Sequence, residues 1–81
     1  MKLKSVSNSS NVVAVGHDGK SALVVLYKAG GLYEYTPVSS EEHNECMKSP
    51  SVGTHLARVI KPTKACRKIE ADIEIEDEFL G

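Results

Sequence analysis

The sequence predicts an α+β domain, built as a small antiparallel β-sheet of three to four strands with two short helices on one face. Two β-rich runs are separated by Asp18-Gly19 and a third follows Gly30-Gly31, which is typical of strands joined by tight turns. Between residues 39 and 62 the apolar residues change to a helical spacing, with capping residues at each predicted helix start. A chain of 81 residues is long enough for one domain only.

We divide the chain into three segments by composition. Residues 1–10 are polar and rich in Ser, and we expect an irregular lead-in there. Residues 11–62 carry the strand and helix patterns and form the predicted domain. Residues 63–81 hold a basic linker followed by an acidic strand or tail.

The first three strands are predicted at residues 11–17, 22–28 and 32–35. Asp18-Gly19 favours a type I′ turn between the first two, because that turn needs positive φ at both central residues.

The second strand is apolar on both faces. Leu23, Val25 and Tyr27 point one way, and Ala22, Val24 and Leu26 point the other. A strand of this kind must be covered on both faces. The helices cover one face, and the other needs a second copy of the chain, the C-terminal tail or a ligand. We therefore expect a homo-oligomer, either a dimer or a tetramer.

Two helices are predicted after the third strand. Ser39, with Glu42 three residues later, forms a capping box, which predicts a first helix over residues 40–48. Ser49-Pro50 ends it and starts a second helix, which Pro62 ends. The second helix has one apolar stripe with members at i, i+4, i+7 and i+8. These are Val52, Leu56, Val59 and Ile60.

The charge of the chain is divided at residue 68. Residues 1–68 hold all ten Lys and Arg and five acids, a net charge of +5, whereas residues 69–81 hold six acids and no base. In the tail, Ile69, Ala71, Ile73 and Ile75 alternate with acidic residues, as in a strand with one buried face. We favour such a strand, with the isoleucines buried, over a disordered acidic tail.

Several classes of function find no support in the sequence. The N-terminus lacks the apolar segment of a secretion signal, and no apolar run approaches the roughly 18 residues of a membrane span, so we expect no membrane partner. Cys46 and Cys66 form no CxxC pair, and we favour free thiols in a reducing cytoplasm over a lone disulfide. The His and Cys spacing predicts no metal site. Because no catalytic motif is recognisable, we predict a protein that is not an enzyme.

Candidate ligand-binding residues fall on the third strand and on the second helix. Tyr33 and Tyr35 share one face of the strand, either as a stacking platform for a nucleobase or as part of the core. Ser51, Gly53 and Thr54 lie at the helix start, where they either bind an anion such as phosphate or only cap the helix and pack it on the sheet.

The second helix also carries basic candidates. Arg58 and Lys61 begin a basic run that ends at Lys68, and this run either binds phosphates or is a solvated face neutralised by the acidic tail. His55 on the same helix is a further ligand candidate, for which a surface or capping role is the alternative.

These residues belong to a longer pattern that spans about residues 9–62. Its pieces are Ser10-Asn11, Ala14-Val15-Gly16-His17-Asp18, Leu26-Tyr27, Gly31-Leu32-Tyr33-Glu34-Tyr35, Val38, Ser51-Val52-Gly53-Thr54-His55-Leu56 and Ile60-Lys61. The pattern resembles the KTSC domain, a family named from the C-terminal part of some lysyl-tRNA synthetases and also found as stand-alone phage and bacterial proteins. His17 and His55 stand where the family usually has aromatic residues, and the tail beyond Pro62 has no counterpart that we can match.

The resemblance implies a small antiparallel sheet with helices, no cofactor and no established catalysis. Stand-alone viral members look like candidates for capturing nucleotide signals of antiviral defence. We therefore hypothesise a phage-type sponge that sequesters a cyclic-nucleotide signal at a subunit interface. Synthetase members imply an alternative, an RNA-binding module. A third hypothesis is a protein-interaction or assembly module, in which the tail strand adds to a neighbour's sheet edge.

Overall fold

Six strands form one mixed sheet in a computed structural model that describes residues 2–76. The elements in chain order are β1 (Lys2–Ser5), β2 (Val12–His17), β3 (Leu23–Tyr27), β4 (Leu32–Thr36), α1 (Ser40–Lys48), α2 (Val52–His55), a π-helical segment (Leu56–Ile60), β5 (Ala65–Lys68) and β6 (Glu74–Glu76). The strand order is β5-β4-β3-β2-β1-β6. Every neighbouring pair is antiparallel except β1 and β6, which are parallel. The predicted sheet had too few strands, three to four instead of six, and it was predicted to be wholly antiparallel. The predicted α+β class is confirmed.

The central elements match the sequence pattern closely. β2, β3 and β4 fall within the three predicted strands or one residue beyond them, and α1 has the predicted bounds. Ser39 accepts a hydrogen bond from the Glu42 N–H, and the Glu42 carboxylate accepts one from the Ser39 N–H, so the capping box is confirmed.

The turn between β2 and β3 is not of type I′. Gly19 has a φ of +82°, but Asp18 does not have the positive φ that such a turn requires at its first central residue. Instead, one Asp18 carboxylate oxygen accepts hydrogen bonds from the N–H groups of Lys20, Ser21 and Ala22. These three donors lower the pKa of Asp18 and hold a longer loop closed.

Two strands lie where the sequence predicted none, and a third is shorter than the predicted tail strand. β1 occupies part of the expected irregular lead-in, and β5 occupies the expected linker, where every residue of the strand is exposed. The tail strand was expected from Ile69 onwards, but β6 begins only at Glu74, and Ile75 is 45% exposed rather than buried. The end of the predicted tail, residues 77–81, lies outside the described residues.

The sheet has a separate apolar core on each face. The helix-side core contains Val15, Leu23 and Val25 from the sheet, packed against apolar residues of α1, α2 and the π-helical segment. The tail-side core contains Leu3, Ala14, Val24 and Leu32. Both helices therefore lie on one face, as predicted.

The tail covers the second face. Ile69 and Ile73 pack against the tail-side core while the chain passes from β5, at one edge of the sheet, to β6 at the other. Five strand spacings amount to about 24 Å, whereas the six residue steps from Lys68 to Glu74 span at most about 22 Å. The connection is therefore nearly fully extended over a sheet that curls towards it. The second apolar face of β3 thus has a cover within one chain and requires no second copy.

The second helix widens after its first turn. The Lys61 N–H donates to the Leu56 carbonyl at 2.8 Å, an i→i+5 bond that defines a π-helical turn. Leu56 and Ile60 stay buried, but Val59, which the stripe predicted to be buried, is 44% exposed because the wider turn moves it off the packed side.

Candidate functional site

The helices leave one end of their sheet face uncovered, and an open groove of about 780 Å³ lies there. We call it the tyrosine groove and define it by six lining residues: Tyr27, Lys28, Tyr33, Tyr35, Lys61 and Lys68. A volume of this size lies within the range of small-molecule sites.

Strand register brings the tyrosines together. Tyr33 pairs with Val25 and Tyr35 with Leu23 across β3 and β4, so these side chains share the helix-side face with Tyr27. Lys68 pairs with Tyr33 across β4 and β5 and therefore points to the same face. Strand pairing therefore forms the groove, because it brings side chains of β3, β4 and β5 together at one end of the sheet.

The three rings have different roles. The Tyr35 ring is only 1% exposed, so it belongs to the core and presents no open face to a ligand. Its hydroxyl lies 2.7 Å from that of Tyr27, and burial together with this hydrogen bond raises the pKa of Tyr35. The rings of Tyr27 and Tyr33 are half-buried and meet edge to face, with centroids 5.6 Å apart.

The Tyr33 ring occupies the space that a side chain at position 31 would need. A Cβ atom at Gly31 would overlap the Tyr33 ring, so the ring lies directly against the main chain of the turn before β4. Any larger residue at position 31 would push the ring out of its position in the groove.

The charge of the tyrosine groove is entirely positive among its lining residues. Lys28, Lys61 and Lys68 line it, and no acid among residues 2–76 does. Lys61 Nζ lies 5.2 Å from the centroid of the Tyr27 ring, a cation–π contact. Within residues 2–76 the ion pairs are Lys2–Glu76, Lys64–Glu42 and Arg67–Glu34, and none of them uses a lysine of the groove.

A second groove of about 460 Å³ lies beside the first and shares Ser10 and Asn11 with it. We call it the serine groove and define it by Ser9, Asn11, Ser51, Gly53, Thr54 and Arg58. It brings together four of the residues that we selected from the sequence, namely Ser51, Gly53, Thr54 and Arg58.

The helix start in the serine groove is already occupied by protein contacts. The Val52 N–H donates to the Asn8 side chain, and the Thr54 N–H donates to the Ser51 hydroxyl. A Cβ atom at Gly53 would overlap the Asn11 and Ser9 side chains, so glycine is required here by packing. The capping and packing alternative therefore describes Gly53 and the N–H groups of Val52 and Thr54.

The structure separates the predicted candidates into groups. Tyr33, Tyr35 and Lys61 meet in the tyrosine groove, and the other four meet in the serine groove. His55 lines neither groove and lies in a depression that is also lined by Pro50, Val59 and three residues of the serine groove, namely Ser51, Thr54 and Arg58.

Tyr27 and Lys28 of the tyrosine groove were not selected from the sequence, and Lys68 was named there only as the end of the basic run. Tyr27, Lys28 and Lys68 lie next to Tyr33 only through the turn at Gly30 and the pairing of β5 with β4. The sequence shows that Tyr27 is aromatic and that Lys28 and Lys68 are charged, but it does not show the strand register that places them beside Tyr33.

The structure indicates no reactive thiolate at Cys46 and no metal-binding cluster of His and Cys among the described residues. Both cysteines are free, as predicted, and burial raises the pKa of Cys46 to about 11, which keeps its thiol protonated. Among residues 2–76 no three potential metal ligands cluster, and no helix is long and apolar enough to cross a bilayer.

The sheet, its one-sided helical layer and the open groove define a small α+β domain. The KTSC domain family matches residues 8–63, and the chain therefore belongs to this family. The match includes β2 to β4 and both helices, whereas β1, β5 and β6 lie outside it.

A solved structure supports the same assignment. The chain is similar to a KTSC domain protein from Yersinia pestis, with a TM-score of 0.78 and 32% sequence identity over 84% of this chain and 96% of that one. No curated protein matches the chain. The fold is thus shared with a solved member of the family, and the family description names no activity.

Proposed function

We propose that this protein binds and sequesters a small nucleotide-type anion in the tyrosine groove without converting it. One observation carries the proposal: three lysines and two half-buried tyrosine rings line one groove, and none of the described acidic residues lines it. Lysines attract phosphate by charge, and aromatic rings stack on bases irrespective of base identity.

The binding unit is a single chain in this proposal. All lining residues of the groove come from one chain, and the tail already covers the opposite face of β3. A subunit interface, which we expected from the sequence, is therefore not needed to complete the site. A sponge for cyclic-nucleotide signals remains the specific form of the proposal that the family resemblance suggests.

Calorimetry tests the ligand class. The purified protein is titrated with AMP, GMP and a panel of cyclic di- and trinucleotides. We expect at least one to bind with a Kd of about 10 μM or tighter, and no heat across the panel at that concentration contradicts the proposal.

Variants of the groove test its location. Tyr33→Leu removes the stacking ring and should weaken binding by about 5- to 150-fold, whereas Tyr33→Phe keeps the ring and should stay near wild type. Lys68→Gln should weaken binding several-fold, and Lys48→Gln, on the exposed end of α1, is the matched control. Equal affinities for Lys68→Gln and Lys48→Gln would place the site elsewhere.

Salt dependence separates this function from RNA binding. A long RNA contacts many cations, so its affinity falls steeply with salt because counterions are released. A groove with three lysines should give a shallow slope with a mononucleotide. Tight, steeply salt-dependent binding of a 12-nucleotide RNA, with no binding of small nucleotides, favours the RNA-binding alternative.

A further inference from the structure

The serine groove has more hydrogen-bond donors than the protein uses. The Ser51 hydroxyl accepts a bond from the Thr54 N–H, and within residues 2–76 it donates to no acceptor. The Asn11 carboxamide oxygen accepts from Ser9, but its NH₂ group has no protein acceptor in the described chain. Arg58 is exposed, forms no ion pair among the described residues, and is accompanied by no acidic lining residue. A surplus of donors with one guanidinium is complementary to an acceptor-rich anion.

The serine groove is also placed to act together with the tyrosine groove. The two share the Ser10–Asn11 wall on one side. On the other side, Arg58 lines the serine groove and Lys61, three residues later, lines the tyrosine groove. Three residue steps span at most about 11 Å between Cα atoms, and less in a helical turn. One ligand can therefore contact both cations.

We propose that the serine groove is a second anion subsite, so that the preferred ligand is a dinucleotide. One base lies on the tyrosine groove, and the phosphate of the second nucleotide contacts Arg58, Ser51 and Asn11. This inference rests on the proposed function, and it adds that ligand choice depends on a second phosphate-bearing unit. The arginine suits this role because its planar fork can bind two phosphate oxygens at once.

The test compares mononucleotides with dinucleotides on two variants. Wild type, Arg58→Gln and the control Lys48→Gln are titrated with AMP, GMP, the 5′-phosphorylated dinucleotides pApA and pGpG, and their cyclic counterparts. We expect wild type to bind a dinucleotide at least about ten-fold more tightly than the matching mononucleotide. Arg58→Gln should remove most of this preference while mononucleotide affinity changes less than about two-fold.

The outcomes distinguish this inference from the proposed function. Mononucleotide binding that a dinucleotide does not improve, or an equal loss for both ligands in Arg58→Gln, overturns the second subsite and leaves the tyrosine groove as proposed. Binding of neither class overturns both. An affinity that keeps rising from dinucleotides to a 12-nucleotide RNA overturns the inference in favour of a longer nucleic-acid surface.

Discussion

Covering of the second sheet face by the tail can be tested with two isoleucines of the same segment. Ile73 packs on the tail-side core, whereas Ile75, two residues later, is 45% exposed. Replacing a fully buried Ile by Ala costs about 2–5 kcal/mol, and Ile73 is partly buried, so we expect about 1–2 kcal/mol for Ile73→Ala. Ile75→Ala should cost less than about 0.5 kcal/mol.

Urea unfolding followed by circular dichroism measures the difference. With a slope of about 1 kcal/mol per molar urea for a chain of this size, Ile73→Ala should lower the midpoint by about 1–2 M. The whole stability of such a domain is roughly 4–12 kcal/mol, so the change is large enough to resolve. Equal midpoints for the two variants would refute packing of the tail as described.

Protein concentration separates packing within one chain from packing on a second copy. If the tail covers its own sheet, the unfolding midpoint does not depend on concentration. If it covers a neighbour, the midpoint rises with concentration because folding is then linked to association. Light scattering on a chain truncated after Lys68 adds a second readout, since a tail that joins subunits would change the mass.

Three further predictions concern other parts of the fold. A Cβ atom at Gly16 would lie 2.5 Å from Leu3 Cδ2 and 2.7 Å from the Lys2 carbonyl oxygen, so Gly16→Ala should lower the free energy of unfolding by about 1–3 kcal/mol in urea melts. Burial, and then the charges of neighbouring residues, lower the pKa of His43, so stability should be complete above pH 6.5 and fall below it, by at most about 1.4 kcal/mol per pH unit; His43→Leu should flatten this profile. Ser39→Ala removes the cap of α1 and should cost about 1 kcal/mol, with little effect from Ser40→Ala as the neighbouring control.

The pH prediction has a structural basis in the groups that face His43. Its ring stacks on His17 with centroids 5.4 Å apart, and its Nε2 atom is buried without a hydrogen-bond partner. Lys4 adds a positive charge from β1. A proton on His43 would therefore lie near the positive charge of Lys4 and without an acceptor, whereas the unfolded chain takes it up freely. A melt that stays constant between pH 7.5 and pH 5.5 would contradict this account.

Sequence patterns predicted the elements whose formation is favoured by residues within the element or directly beside it. β2, β3 and β4 have β-branched or aromatic runs, and α1 has its capping box. β5 has no such pattern: its residues are all exposed, and it is held by pairing with β4 and by the Arg67–Glu34 ion pair at 2.9 Å. An edge strand formed through partners that are distant in sequence leaves no periodic pattern to read.

The candidate site was predictable in residue type but not in arrangement. Tyr33 could be selected because the chain has only four aromatic residues, and Arg58 and Lys61 because they begin the basic run on the second helix. Tyr35 could not be told from a ligand-facing ring, because alternation gives the face of a strand but not how far along that face the helices extend. The extent of the helix-side core decides this, since Tyr35 is buried within it while Tyr33 and Tyr27 stay half-buried at its margin.

The acidic strand β6 and the tyrosine groove lie apart in the strand order of the sheet. Glu74 and Glu76 pair with β1, where Lys2 lies 3.6 Å from Glu76, while the lysines of the tyrosine groove include Lys28, directly after β3, and Lys68 on β5. Three strand spacings, about 14 Å, separate β6 from β3, and at physiological salt exposed charges are screened beyond about 8 Å. Glu74 and Glu76 therefore do not compete with an anion for the groove. The affinity for an anion should therefore depend on the lysines of the tyrosine groove. Neutralising Glu74 or Glu76 should leave this affinity unchanged, although it should weaken the attachment of the tail to β1.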